Sequence, residues 1–141
     1  MCSTRNVDLV QSLGADEVID YTKEDFTETG QVYDLIFDAV GKSSFAKCKG
    51  SLTLAGIYVT TVLTSQVLIN MLATSVVGGK KAIFAAPKVT REELQYIHDL
   101  VEAGRLRPVI DTSYPLSDLA EAHRYAEAEH ARGRVIVTVL S

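Results

Sequence analysis

The chain has 141 residues, of which 47% are apolar and 23% charged, so it is long and apolar enough to bury the core of one domain. The formal charge is −4 and the 14 basic residues are scattered, which argues against a nucleic-acid partner. No apolar stretch is long enough to span a membrane and Met1 begins no secretory leader, so we expect a cytoplasmic protein. Cys2 and Cys48 lie far apart in the sequence and are expected to be reduced.

Short β-branched apolar runs alternate with helix-patterned segments, which is typical of βαβ units and predicts an α/β fold with a parallel sheet. No linker divides the chain. The strands and extended segments are predicted, in chain order, at residues 17–21, 33–41, 56–61, 81–86, 108–114 and 135–140. The helices are predicted at residues 6–14, 43–52, 67–76, 90–104 and 117–130.

Two of these elements have strong local signals. The helix at 90–104 begins with a capping box of Thr90 and Glu93 and is closed by Gly104. The strand at 33–41 is apolar on both faces, as in a parallel sheet that is covered on both sides. A proline, Pro87, is expected to stop the strand at 81–86.

Ligands of open parallel sheets bind beyond the carboxyl ends of the strands, and these positions are poor in catalytic groups here. Asp38 at the end of its strand could be a base, a metal ligand or a turn-forming acceptor, of which turn formation is favoured. His123, Glu127 and His130 have a spacing that could ligate zinc, but neighbouring charges favour a solvated helix face. The glycine-rich G-x-G-x-x-G turn of a dinucleotide domain is absent.

Residues 2–6 resemble the end of a strand that runs into a helix, where hydroxyls and the Arg5 guanidinium could bind a phosphate. An NAD-selective domain more often has an acid at this position, so NADPH is favoured over NADH. The alternative is a solvated arginine beside an ordinary helix cap, which composition alone favours.

Several segments, in this order, resemble the medium-chain dehydrogenase/reductase superfamily. They are L-G-A-D-E-V-I-D-Y at 13–21, Y-D-L-I-F-D-A-V-G at 33–41, E-A-G-R-L-R-P-V-I-D at 102–111, E-A-H-R-Y at 121–125 and H-A-R-G-R-V-I-V at 130–137. Within this superfamily, the sequence is similar to the zinc-independent, quinone-oxidoreductase-like branch, whose members are often labelled alcohol dehydrogenase. The resemblance departs at L-T-L-A-G-I-Y, residues 52–58, where the family has a Pro-Gly-Gly turn and only Gly56 is retained.

The resemblance implies that residues 1–141 are a partial nicotinamide-dinucleotide-binding domain. Its fold would be an incomplete Rossmann-like, doubly wound parallel sheet that lacks the first strand and the glycine-rich turn. The catalytic domain and any zinc ligands would lie in the part that is absent, so no zinc is expected. The strand at 33–41 would then have an unpaired edge and an uncovered apolar face, which predicts a homo-oligomer or pairing with the missing amino-terminal part.

By resemblance, the adenosine end of NADPH would contact residues near the amino end of the chain. Ser3 and Arg5 correspond to the contacts of the 2′-phosphate, and Tyr21 to a group near the adenosine. Arg134 corresponds to the basic residue that follows a glycine near the carboxyl end of the family's domain.

The nicotinamide end would contact two further segments. Ala39, Val40 and Gly41 resemble the backbone turn beside the cofactor ribose, and Phe84 and Ala85 the segment near the nicotinamide. None of these residues transfers a proton, so no catalytic residue is assigned.

The sequence thus predicts a fragment of an NAD(P)H-dependent oxidoreductase that transfers hydride between NADPH and a carbonyl, enone or quinone substrate. Without the glycine-rich turn, the chain alone is expected to bind NADPH weakly and to have no turnover. The alternative is a non-catalytic module, descended from such an enzyme, that pairs with itself or with a partner. A flavodoxin-like or receiver-type module is disfavoured because no acidic cluster follows an early strand.

Overall fold

A computed structural model describes residues 1–86, 89–128 and 131–139. They form two compact units, Met1–Lys88 and Val89–Ser141. Three residues used in the sequence predictions lie outside the described residues. They are Pro87, the predicted stop of a strand, His130, a possible zinc ligand, and Leu140, the predicted end of the last strand. No helix in the described part of the chain is long and apolar enough to cross a membrane.

The first unit is built on a three-stranded parallel sheet in the order β1-β2-β3. Its elements are α1 (Val7–Ser12), β1 (Tyr33–Asp38), α2 (Phe45–Cys48), β2 (Leu52–Thr60), α3 (Ser65–Val76) and β3 (Lys81–Phe84). The second unit has a two-stranded parallel sheet. Its elements are α4 (Arg91–Glu102), β4 (Ile110–Pro115), α5 (Leu119–Glu127) and β5 (Arg134–Thr138). The prediction of an α/β fold with parallel strands is confirmed.

The predicted strand at 17–21 is wrong. Its residues make one isolated bridge, between Cys2 and Asp20. Cys2 N donates to Ile19 O at 3.0 Å, and Tyr21 N donates to Cys2 O at 3.1 Å. The partner segment turns into a 3₁₀ helix at Thr4, so the pairing does not continue beyond this bridge in that direction.

The core of the first unit lies where α2 and the face of β2 and β3 meet. Its buried residues are Phe45, Cys48, Leu52, Tyr58 and Ala82, against which Phe26, Ile36 and Met71 pack. Cys48 is fully buried, and both it and Cys2 are free thiols, as expected.

The strand β1 lies at the edge of the sheet with one apolar face uncovered, which confirms the expectation from the resemblance, whereas the burial on both faces that its apolar composition indicates is not observed. Ile36 packs against the core, whereas Leu35 and Phe37 on the opposite face are each 59% exposed. Apolar composition shows that both faces of a strand could be buried, but each face is buried only if another element packs on it. The helices α2 and α3 contact the sheet through β2 and β3.

The segment that departs from the family pattern forms an irregular start to β2. The register shifts between the pairs Tyr33–Leu52 and Leu35–Ile57, and Leu54 between them is 89% exposed. A Cβ atom at Gly56 would lie 3.0 Å from Leu52 Cβ and from Tyr33 O. The retained glycine therefore allows the close approach of the two strands at this irregularity.

In the second unit, local sequence signals also determine where helices begin and end. The capping box is present, because Glu93 N donates to Thr90 Oγ1 at 3.2 Å and Thr90 N donates to Glu93 Oε2 at 2.9 Å. Gly104 follows α4 with a φ of 67°. The helix α5 begins at Leu119, after a 3₁₀ turn over Leu116–Asp118, rather than at the predicted position 117.

Candidate functional site

The carboxyl ends of β1, β2 and β3 meet at one edge of the first sheet and bring two predicted segments together. Thr61 Oγ1 donates to Ala39 O at 3.0 Å, which joins the turn after β1 to the end of β2. Ala85 N donates to Thr60 O at 2.9 Å, which joins the end of β3 to the end of β2. The five residues assigned to the nicotinamide end therefore share one edge of the sheet; they are Ala39, Val40, Gly41, Phe84 and Ala85.

The turn after β1 is folded around the carboxylate of Asp38. Its Oδ1 accepts hydrogen bonds from the backbone N–H groups of Val40 at 3.3 Å, Gly41 at 2.8 Å and Lys42 at 3.3 Å. Its Oδ2 accepts from Ser43 N at 2.9 Å and from the hydroxyl of Tyr58 at 2.9 Å. The prediction that Asp38 is a turn-forming acceptor is confirmed.

These contacts keep Asp38 ionised. Partial burial acts to raise its pKa, but the hydrogen bonds, first from Ser43 N and then from Tyr58 and Gly41, outweigh burial and lower the pKa below its ordinary value. For Tyr58, burial and then the hydrogen bond to Asp38 raise the pKa. At neutral pH the pair is therefore a carboxylate that accepts and a phenol that donates, which is a fixed structural contact and not a proton relay.

Gly41 is required at this turn for two reasons. Its φ of 71° lies in the left-handed region, and a Cβ atom there would stand 2.6 Å from Val62 Cγ2. Any other side chain would push the turn away from the end of β2.

A small cavity of about 60 Å³ lies beside this turn, with Ser43, Phe45, Tyr58 and Thr60 among its lining residues. Its volume accommodates a few water molecules, since a water in the liquid occupies about 30 Å³. A dinucleotide is far larger and does not fit inside this cavity.

The residues assigned to the adenosine end lie on two adjoining segments. The bridge between Cys2 and Asp20 places the segment of Ser3 and Arg5 beside that of Tyr21. The Arg5 side chain is exposed, and the Tyr21 side chain is 57% exposed.

Asp20, which is 7% exposed, ties the two segments together. Thr4 Oγ1 donates to its Oδ2 at 2.5 Å, and Thr22 donates to its Oδ1 through both N, at 3.0 Å, and Oγ1, at 2.7 Å. These hydrogen bonds, that from Thr4 foremost, hold the pKa of Asp20 well below its usual range.

Arg134, the remaining predicted site residue, belongs to the second unit. It begins β5, its N donates to Val109 O at 2.7 Å, and its side chain is exposed. A Cβ atom at the preceding Gly133 would lie 2.4 Å from Val109 O, so this glycine is needed where the two strands come close.

No three His, Cys, Asp or Glu side chains within residues 1–86, 89–128 and 131–139 are grouped to hold a metal ion. His123 and Glu127 lie exposed on α5, and the third residue of that spacing, His130, is outside the described residues.

Two further residues, Tyr58 and Thr61, contact the turn after β1 and were not predicted from the sequence. A buried tyrosine needs a partner for its hydroxyl, which is a usable signal, but the partner is identified only when the register of β1 against β2 is known.

Comparisons with known proteins all match this chain to dehydrogenases and oxidoreductases. Residues 13–137 match the family described as zinc-binding dehydrogenase. The chain is 34% identical to the mitochondrial NAD(P)H oxidoreductase RTN4IP1 of Mus musculus, covering 99% of this chain and 41% of that protein. It is 31% identical to the chloroplastic quinone-oxidoreductase QR1 of Triphysaria versicolor, covering 96% and 43%. The solved quinone oxidoreductase of Coxiella burnetii superposes with a TM-score of 0.76 at 28% identity, covering 98% of this chain and 43% of that one. The chain thus spans about two fifths of the length of these relatives.

Proposed function

This chain belongs to the zinc-binding dehydrogenase family of the medium-chain dehydrogenase/reductase superfamily, and on that premise we propose that it supplies part of the nicotinamide-dinucleotide site of an oxidoreductase. The observation that carries the proposal is the shared sheet edge, where the turn after β1 and the end of β3 both adjoin the end of β2. Ligands of open parallel sheets bind at such an edge. The relatives' names, which specify NAD(P)H and quinone oxidoreductases, support the same assignment.

The residues of the edge fit a cofactor that carries out the chemistry itself. They offer an exposed backbone turn, a glycine without a side chain and the apolar Phe84, with no group positioned to transfer a proton. In this class of enzyme the nicotinamide supplies the hydride, and the protein binds and orients it. We propose that the complete reaction reduces a quinone, enone or other carbonyl compound, or oxidises an alcohol, and that groups outside this chain contact the substrate.

At the adenosine end, we propose that Ser3 and Arg5 favour NADPH over NADH by binding the 2′-phosphate, with Tyr21 beside the adenosine. The anchoring of their two segments by Asp20 supports this arrangement. We further propose that residues 1–141 form part of a single cofactor-binding domain, with Arg134 contributing from its carboxyl-terminal part.

The test is the binding of NADPH and NADH to the nitrogen-15-labelled chain, followed by the shifts of its backbone amide resonances. We expect weak binding, with a preference for NADPH that Arg5→Ala removes. One charge-assisted hydrogen bond is worth about 1.5–3 kcal/mol, so the preference should fall by roughly tenfold to a hundredfold.

The control is Arg107→Ala, which removes another exposed guanidinium and should keep the preference. Equal binding of both cofactors by the unmodified chain would contradict the assignment of Arg5. A micromolar dissociation constant for NADPH would show that the glycine-rich turn is not needed.

A second candidate function, self-association, is favoured by the exposed face of β1. Leu35 and Phe37 are each 59% exposed and lie on β1, an edge strand of the sheet, whose outer backbone groups can pair with another strand. We expect a dimer or larger oligomer in light scattering behind a sizing column. Phe37→Ser should weaken it, whereas Leu54→Ser, at an exposed position in the irregular start of β2, should not. A stable monomer of 15.4 kDa with a cooperative melt would refute this candidate.

A further inference from the structure

The first unit has an uneven distribution of charge. Residues 39–86 contain five scattered lysines and no aspartate or glutamate, although the whole chain has a formal charge of −4. Segregation of charge within one chain is typical of proteins that contact a nucleic acid or a membrane surface. Lys47 is paired with Asp25 at 2.7 Å, and Lys42 follows β1 at the carboxyl edge of the sheet. The other three lie at or just before the starts of β2 and β3, at the opposite edge; they are Lys49, Lys80 and Lys81.

Direct contacts hold the starts of β2 and β3 together at this amino edge of the sheet. Lys80 Nζ donates to Lys49 O at 2.7 Å. A Cβ atom at Gly79 would lie 3.4 Å from Leu54 O, so the chain between α3 and β3 runs against the irregular start of β2. The three lysines make no ion pair with a carboxylate of the residues that the structure describes. Because an ammonium group has three N–H donors, even Lys80 can contact a further anion.

Exposed aliphatic side chains lie among these lysines. Leu54 is 89% exposed, and Val76 and Val77, at the end of α3, are 87% and 70% exposed. Exposed apolar side chains that are rimmed by polar groups mark sites of interaction with a protein or a membrane. A nucleic acid would neutralise the lysines but would not bury the aliphatic side chains. An anionic bilayer offers both phosphate groups and an apolar interior, so it complements this edge of the sheet better.

We propose that the amino edge of the first sheet binds to the surface of an anionic lipid bilayer, with its aliphatic side chains among the headgroups and its lysines on lipid phosphates. This docking surface consists of Lys49, Leu54, Val76, Val77, Lys80 and Lys81. Peripheral binding of this kind combines burial of apolar area with electrostatic attraction and needs no membrane-spanning helix. The docking surface lies opposite the carboxyl ends of the strands, so it leaves the proposed cofactor edge open and is tested independently of it.

The experiment is co-sedimentation of the full chain with vesicles made of equal parts of phosphatidylglycerol and phosphatidylcholine, compared with vesicles of phosphatidylcholine alone. We expect stronger binding to the anionic vesicles. This binding should weaken when the salt concentration rises from about 0.1 M to about 1 M, because the Debye length falls from about 10 Å to about 3 Å. Equal binding to both kinds of vesicle, or no binding to the anionic vesicles at the lower salt concentration, would overturn the proposal.

Charge variants test the lysines. A lysine close to an anionic surface contributes roughly fivefold to binding, so the double variant Lys80→Gln/Lys81→Gln should bind anionic vesicles at least about tenfold more weakly. The matched control is Arg105→Gln/Arg107→Gln, which removes the same charge from exposed positions of the second unit and should have a much smaller effect. Asp34→Asn removes an exposed carboxylate near the start of β1, at the amino edge, and should strengthen binding. Equal weakening by the two double variants would overturn the docking surface.

A tryptophan reporter tests whether the aliphatic side chains enter lipid. The chain contains no tryptophan, so Leu54→Trp places a single reporter on the docking surface. Leu116→Trp, at a position of the second unit that is 52% exposed, is the control. With anionic vesicles we expect a blue shift of the emission and quenching by brominated lipids for Leu54→Trp alone. The same shift for both variants, or for neither, would overturn the proposal.

Two further measurements distinguish lipid from other occupants of the docking surface. A blue shift of Leu54→Trp that appears without vesicles as the protein concentration rises would show that a second copy covers the surface. Binding to soluble polyglutamate as tight as that to anionic vesicles, without a blue shift, would indicate an acidic protein partner. Either result overturns the proposal. Leu54→Ser should weaken binding to anionic vesicles about tenfold, since it removes an aliphatic side chain that lipid would bury.

Discussion

Two leucines on β2 provide a direct test of the core. Leu52 is 2% exposed and packs with Phe45, Cys48 and Tyr58, whereas Leu54 is 89% exposed. Leu52→Ala removes buried methyl groups and leaves a cavity, which costs about 2–5 kcal/mol in well-packed cores. Leu54→Ala removes a side chain that is in water in both the folded and the unfolded state, so its effect should stay within about 0.5 kcal/mol.

The cost of Leu52→Ala is a large part of the stability of a small domain, which is about 5–15 kcal/mol. Urea denaturation followed by circular dichroism measures both variants against the unmodified chain. For a chain of 141 residues each kcal/mol corresponds to roughly 3–4 °C, so the melting temperature should fall by more than about 6 °C for Leu52→Ala alone. Equal losses, or a greater loss for Leu54→Ala, would show that the core does not lie where β2, α2 and β3 meet.

Two further predictions concern the turn and the aspartates. Gly41→Ala should destabilise the chain by more than about 1 kcal/mol beyond Gly30→Ala in thermal melts, because both glycines have positive φ (71° and 77°) but only a Cβ at Gly41 would meet Val62. Stability should also fall as the pH drops below about 4, the ordinary aspartate pKa, and through the lower folded-state values. The pKa of Asp38 is lowered, and the Lys47 contact lowers that of Asp25 to about 2, so the unfolded state binds more protons than the folded state in this range. Urea midpoints against pH should give a shallower acid slope for Asp38→Asn, and an unchanged slope would refute the contribution of this carboxylate.

Features that depend on a few neighbouring residues could be predicted from the sequence. The capping box of Thr90 and Glu93 and the left-handed glycines after α1 and α4 depend on local geometry, and the structure has them. The role of Asp38 was also accessible, because an aspartate before a glycine-containing turn can reach the N–H groups that follow it.

Features that depend on distant partners could not be read in the same way. The residues at 17–21 have the composition of a strand, but a strand also needs a paired partner, and here the pairing is limited to the bridge between Cys2 and Asp20, after which the chain turns into a 3₁₀ helix at Thr4. The exposure of Leu35 and Phe37 likewise depends on which elements cover the sheet. For the same reason the contact of Tyr58 with Asp38 follows only from the parallel register that sets Ile36 beside Tyr58.

The candidate site after β1 consists mostly of backbone groups, because the side chains there contact the chain itself. Asp38, the most strongly hydrogen-bonded carboxylate at this edge of the sheet, contacts the chain's own N–H groups, and Gly41 keeps the turn close to Val62. Side chains at this edge therefore shape the polypeptide and leave backbone groups of the turn exposed. A site of this kind tolerates changes in exposed side chains such as Val40, but a single methyl group at Gly41 or the loss of charge at Asp38 alters the whole turn. Substitutions at positions 38 and 41 are thus expected to affect nicotinamide binding more than substitution of Val40, whose side chain is 69% exposed.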